Sequence, residues 1–260
     1  MNPFYIGTNW KMTKTTKEGT AYSKELAAFS EQLDPALIEL FIIPSFPSLV
    51  PVKNEINSSQ IRLGAQNMHW AERGAYTGEV SPVMLKEIGI DIVELGHSER
   101  REYFNENDHD INKKVHAALQ YGMKPLVCIG ETLEEKENNI SVEMLSKQLK
   151  VCLKGLEKDQ LVNVLIAYEP VWAIGERGIP ATPDYVSYIH GEIRVVLTEM
   201  YGNEGADVPI LFGGSVNHDN YLSYFEDDNV NGLFIGRAAW DVLSFKEILK
   251  TCHSKLTSLK

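Results

Sequence analysis

The sequence has no unbroken apolar run near the roughly 18 residues that a membrane-spanning helix needs. Its opening, Met1-Asn2-Pro3-Phe4, lacks the basic segment and apolar stretch of a secretory signal. The expected location is the cytoplasm, with no membrane partner. Cysteine is scarce. Cys128, Cys152 and Cys252 are odd in number, far apart and without a Cys-x-x-Cys spacing, which argues against a disulfide framework or a zinc knuckle and for reduced thiols partly in the core. Positive charge is in deficit: 25 Lys and Arg face 36 Asp and Glu, a net charge of −11, which argues against a nucleic-acid or anionic-membrane surface. An anionic small substrate stays open, because a few local cations and amides can oppose the global field. There is no Pro/Gly/Ser-rich linker, no fixed-period repeat and no low-complexity tract, so residues 1–260 read as a single domain. At 43% apolar, the chain can bury a sizeable core.

What the sequence does contain is a recurring run of short β-branched or apolar segments, at 4–8, 38–43, 61–65, 92–95, 125–129, 164–168, 210–212 and 233–235. Between them, residues 15–33, 107–121, 131–156, 182–201 and 244–256 carry helical spacing. Thr182-Pro183 and Ser81-Pro82 each read as an N-cap followed by proline at the first helical position. The apolar runs are nearly continuous rather than alternating, as expected of a parallel sheet buried on both faces. Eight strand–helix units predict an α/β fold closed into a (β/α)8 TIM barrel rather than an open sheet.

Chemistry in such a barrel belongs at the carboxyl ends of the strands, and polar motifs cluster at those ends here. Glu169 follows an apolar strand and precedes proline, so its carboxylate sits at the mouth, partly desolvated, where a base is useful; a salt-bridged structural role is equally open from this residue alone. His97 lies in Gly-His-Ser-Glu, a sequence able to begin a short helix, whose N-terminus disfavours imidazolium and leaves a neutral donor ring. Lys11 ends the first strand and points to the same mouth. Gly213-Gly214-Ser215 and Gly236 follow the last two strands, where barrels build phosphate sites from loop amides.

Together these residues resemble the triosephosphate isomerase family, from Tyr5 to about Leu249. The resemblance is carried in order by Asn9-Trp10-Lys11, Gly64-Ala65-Gln66-Asn67, Gly74-Ala75-Tyr76-Thr77-Gly78-Glu79, Gly96-His97-Ser98-Glu99-Arg100-Arg101, Cys128-Ile129-Gly130-Glu131-Thr132, Tyr168-Glu169-Pro170-Val171-Trp172-Ala173-Ile174-Gly175 and Gly213-Gly214-Ser215-Val216. It implies a homodimer acting on a small phosphorylated sugar without metal or organic cofactor. By the same resemblance Glu169 moves a proton between adjacent carbons and His97 polarises the carbonyl, chemistry that is the worked example for this family. Lys11 and Asn9 support the enediolate charge, and Glu99 orients or neutralises Lys11. Residues 170–181 form a lid, Gly175, Ser215 and Gly236 supply amides to the phosphate, and Thr77 reaches across a dimer interface.

Several stretches depart from the usual family wording. Gly236-Arg237-Ala238-Ala239-Trp240 places a cation, Arg237, beside the expected phosphate. The lid's far hinge, Gly178-Ile179-Pro180-Ala181, is one residue longer than usual, and Phe212 stands where a tyrosine hydroxyl commonly bonds the closed lid. These departures, with Gln66-Asn67-Met68-His69-Trp70, look like a paralogous branch, the L-erythrulose-1-phosphate isomerases, which share the base and electrophile but act on a four-carbon ketose phosphate. The resemblance fixes reaction type better than substrate, with the triose-phosphate reaction as the general family expectation. A non-catalytic sugar-phosphate sensor should have lost Glu169 or His97, and a Schiff-base aldolase needs an uncharged lysine where Glu99 stands beside Lys11.

Overall fold

A computed structural model describes residues 3–175 and 178–258 of the chain. Eight strands, β1 (Phe4–Asn9), β2 (Ile38–Ile43), β3 (Arg62–Ala65), β4 (Ile92–Leu95), β5 (Lys124–Ile129), β6 (Leu165–Tyr168), β7 (Ile210–Gly214) and β8 (Gly232–Ile235), pair in sequence order into a closed barrel. Every pairing is parallel. The barrel shuts where β1 meets β8, with Tyr5 beside Gly232 and Thr8 beside Ile235.

Two apolar compartments explain why the strands read as continuous runs. Ile92, Leu126, Leu165 and Leu211 belong to a cluster filling the barrel, while their neighbours Val93, Val127, Ile166 and Ile210 belong to the larger layer between barrel and helices. Alternate residues of one strand thus enter different cores, and both must be apolar.

The outer layer comprises α1 (Thr16–Ser30), α2 (Leu49–Ile56), α3 (Pro82–Ile88), α4 (Ser98–Phe104), α5 (Asp108–Gln120), α6 (Leu133–Glu137), α7 (Ser141–Cys152), α8 (Pro183–Tyr201), α9 (Asn203–Ala206), α10 (Tyr221–Phe225) and α11 (Val242–Ser258). The expected caps are present: the Ser81 side chain accepts from the Met84 amide and the Thr182 side chain from the Tyr185 amide, each with proline opening the helix. The expectation of one helix over 131–156 is corrected. Thr132 and Glu135 form a capping box that starts α6, but Asn139 adopts a left-handed conformation (φ 58°) and breaks the chain before Ser141 opens α7. Asparagine tolerates that conformation and ends helices accordingly. Among the described residues no helix is long and apolar enough to cross a membrane.

Candidate active site

Glu169 leaves β6 with its amide donating to the Ile129 carbonyl at 2.8 Å, and its side chain is buried, 7% exposed. It lies against Gly213 of β7, where an added Cβ would approach Glu169 Cγ and Oε1 to 2.8 Å, so only glycine leaves the carboxylate its place. Glu169 Oε2 has no hydrogen-bond partner and stands 3.9 Å from His97 Nε2. His97 is the N-cap of α4: its Nδ1 accepts the Glu99 amide at 3.2 Å, which leaves the ring proton on Nε2, facing Glu169. Burial pushes the His97 pKa down and the Lys11 ammonium adds to that, against opposing pulls from Glu169, Glu99 and Glu106. The ring is therefore a neutral N–H donor at neutral pH.

Lys11 turns out of β1 in a left-handed conformation (φ 50°) and its ammonium donates to Glu99 Oε1 at 2.6 Å. Asn9 Oδ1 accepts the Lys11 amide at 2.6 Å and Gln66 Nε2 at 3.2 Å, and Gln66 also donates to the Lys11 carbonyl at 2.8 Å. This fixes the direction of the Asn9 amide, whose Nδ2 donates to Glu94 at 2.7 and 2.9 Å. Glu94, on β4 and 1% exposed, was not singled out by the sequence reading. Its signal was a carboxylate inside an apolar run, two residues after the barrel-facing Ile92. Burial, and then the charge of Glu169, push its pKa well above the usual carboxylate range.

Gly175, Ser215 and Gly236, the residues expected to bind an anion, lie in loops at the rim. Gly175 (φ 88°) and Gly236 have no atom within 4 Å of where a Cβ would stand. Ser215 Oγ donates to the Ala173 carbonyl at 2.5 Å, and Arg237 Nη2 to the Gly175 carbonyl at 2.6 Å, so Arg237 bridges the turn after β8 to the lid. Within the lid, Glu176 and Arg177 lie outside the described residues. Phe212 is buried with its ring 4.4 Å from that of Tyr224, whose hydroxyl donates to the Ala181 carbonyl at 2.6 Å. A tyrosine of α10 thus anchors the far end of the 170–181 loop. The near end is held by Glu131, whose Oε1 accepts from Tyr168 Oη, Trp172 Nε1 and Tyr185 Oη at 3.1, 2.9 and 2.9 Å. Thr77 stands apart from these groups, on the exposed loop between β3 and α3.

A buried carboxylate and a neutral imidazole facing one another, with an ammonium and glycine-rich loops around them, can take a proton from one carbon, return it to the next and stabilise the oxyanion between. Cys128, also buried here, is no competing nucleophile, since burial and the neighbouring Glu169 and Glu94 charges push its pKa well above the usual thiol range.

The fold and this arrangement define a barrel enzyme of the isomerase class. A family model described as triosephosphate isomerase matches residues 4–252, and the chain belongs to that family. Its relatives include the L-erythrulose-1-phosphate isomerase of Rhizobium rhizogenes (strain K84 / ATCC BAA-868), 46% identical over 254 residues that span 97% of this chain and 96% of the relative. The protein of that name in Brucella abortus biovar 1 (strain 9-941) is 44% identical over 257 residues, covering 98% and 99% of the two chains. The one in Rhizobium meliloti (strain 1021) is 45% identical over 247 residues, covering 95% of each.

Proposed function

We propose that the protein interconverts ketose phosphates of four carbons, with L-erythrulose 1-phosphate as substrate, using Glu169 as base and His97 as electrophile. The observation that carries the reaction type is the unpartnered Glu169 Oε2 beside the Nε2–H of a neutral His97. Substrate choice is supported by the relatives of that name at 44–46% identity. In L-erythrulose 1-phosphate the carbonyl is at C2, and C3 is the neighbouring carbon that bears both a hydrogen and a free hydroxyl. Glu169 takes the C3 proton while His97 Nε2–H donates to the C2 oxygen; the C3 hydroxyl proton passes to the imidazole, and Glu169 returns its proton to C2. The carbonyl has then moved to C3, and the product is a tetrulose phosphorylated at the other end of its numbering. Lys11 and Asn9 support the enediolate, Glu99 holds Lys11, and Gly175, Ser215, Gly236 and Arg237 surround the phosphate. Closure of the lid keeps water from the intermediate and retains its phosphate.

We further propose a homodimer in which Thr77 enters the neighbouring site. Thr77 lies on an exposed loop with Tyr76, and Met12, next to Lys11, is 95% exposed, the kind of apolar side chain that a partner covers. Triose phosphate is the competing substrate, favoured by the family description. The test is kcat/KM for L-erythrulose 1-phosphate and dihydroxyacetone phosphate: the expected preference is for the tetrulose, and a triose preference of about 1,000-fold, roughly 4 kcal/mol in the transition state, overturns the reading.

A further inference from the structure

Glu94 is a carboxyl in a layer otherwise filled with apolar side chains. It shares the inner face of β4 with Ile92 and projects beside Cys128 of β5 and Asn9 of β1. A carboxyl there loses its hydration and is retained only if hydrogen bonds replace it. Asn9 Nδ2 is its one close donor; Cys128 Sγ stands at 3.9 Å, and Lys11 is engaged with Glu99 instead. A carboxyl accommodates about four such contacts, so capacity is left over.

That capacity points to one place. A carboxyl oxygen of Glu94, Cys128 Sγ and a carboxyl oxygen of Glu169 lie within 4.8 Å of one another, all three residues buried. The three side chains thus form one buried polar corner inside the barrel, with Cys128 Sγ 3.9 Å from Glu94 Oε1. The Glu169 carboxylate that borders this corner carries an oxygen, Oε2, without a hydrogen-bond partner.

Counting substrate oxygens identifies the group. A triose phosphate has its phosphate, one carbonyl and one hydroxyl; in the proposed reaction the rim loops surround the phosphate, and His97, with Lys11 and Asn9, serves the two oxygens on the reacting carbons. A tetrulose phosphate adds a carbon and a hydroxyl beyond the reacting pair, at the end away from the phosphate. With the phosphate loops at the exposed rim, that end descends toward the barrel interior, where Glu94 stands one residue before the last residue of β4, Leu95, and three before His97. We propose that Glu94 is a specificity residue that hydrogen bonds the terminal hydroxyl of a four-carbon substrate, held in position by Asn9. The proposal rests on the tetrulose reading of the preceding subsection. Burial and the Glu169 charge favour the protonated carboxyl, which can both donate to and accept from a hydroxyl.

The test compares the ratio of kcat/KM for L-erythrulose 1-phosphate to that for dihydroxyacetone phosphate. Wild type is measured first, and absence of tetrulose turnover there overturns the substrate reading and this assignment together, before any substitution. Glu94→Leu is expected to lower the ratio at least 100-fold, because the site can no longer bond the extra hydroxyl. Glu94→Asp, which withdraws the carboxyl by one methylene and disturbs folding less, is expected to lower it at least tenfold. Glu94→Gln keeps both a donor and an acceptor and is expected to stay within tenfold of wild type. A role confined to holding Asn9 lowers both substrates alike; a ratio within threefold of wild type in the Leu and Asp variants therefore overturns the proposal. So does a loss in Glu94→Gln as deep as in Glu94→Leu.

Discussion

Arg237 donates from Nη2 to the carbonyl oxygen of Gly175 at 2.6 Å, so the turn after the last strand grips the loop that follows β6 directly. The contact is exposed and charge-assisted, worth about 1 kcal/mol net in such a setting. Arg237→Ala is expected to reduce kcat/KM by about three- to tenfold, mostly through KM, since the lid loses a tether and the phosphate a nearby cation. Steady-state kinetics check this; a loss above about 100-fold would place Arg237 at the reacting carbons.

Glu169→Gln replaces a proton acceptor with an amide of the same shape. Turnover is expected to fall by about 10³-fold or more while the thermal midpoint stays close to wild type. His97→Gln should do less damage, because an amide still donates to the carbonyl. Turnover of Glu169→Gln within tenfold of wild type removes this carboxylate from the mechanism.

Gly213→Ala probes placement rather than chemistry. The new Cβ meets Glu169 Cγ and Oε1 at 2.8 Å, and the base must shift while remaining ionisable. A displacement near 1 Å is expected to lower kcat by about 100-fold. Activity within threefold of wild type would show that the base tolerates movement.

His190 on α8 is fully buried under Tyr168 and Phe212, and burial pushes its pKa down to about 4 despite the opposing Asn229 carbonyl, 3.2 Å from Nδ1. The unfolded chain protonates this ring near pH 6.5, the folded one near 4. Its contribution is therefore fully present above pH 6.5 and is lost as pH falls toward 4, about 3 kcal/mol in all. Urea midpoints between pH 7 and 4.5 should fall more steeply for wild type than for His190→Leu, and parallel slopes would refute it.

Dialysis against EDTA is expected to leave turnover unchanged. Glu94, Cys128 and Glu169 are the trio of possible metal donors among the described residues, but the Asn9 amide presents N–H groups to both Glu94 oxygens and so opposes a cation there. Lost activity restored by added Zn²⁺ would assign the trio to a metal and overturn its reading as a hydroxyl site.

The strand ends were legible because their chemistry is local: Asn9-Trp10-Lys11, Gly96-His97 and Tyr168-Glu169 each mark where an apolar run stops. Glu94 was not, because a strand buried on both faces has no alternation to show which residues enter the barrel. Glu131 stood in a recognised motif, yet its partners Tyr168, Trp172 and Tyr185 converge only in three dimensions. Phe212 read as a lost hydroxyl because the compensating Tyr224 lies in a separate helix. The break at Asn139 was hidden by helical spacing on either side, which a single left-handed residue does not disturb.

The seam of the barrel carries one more implication. Trp240 Nε1 donates to the Asn9 carbonyl at 2.9 Å, a bond spanning 231 positions of sequence, at the place where β1 and β8 join. Contacts of such long range form late in folding. Catalysis is thereby a reporter of ring closure: a partly folded chain with β1 to β7 assembled still has Gly236 and Arg237 adrift, so recovered activity during refolding should track the final zipping of the seam rather than the earlier rise in helix signal.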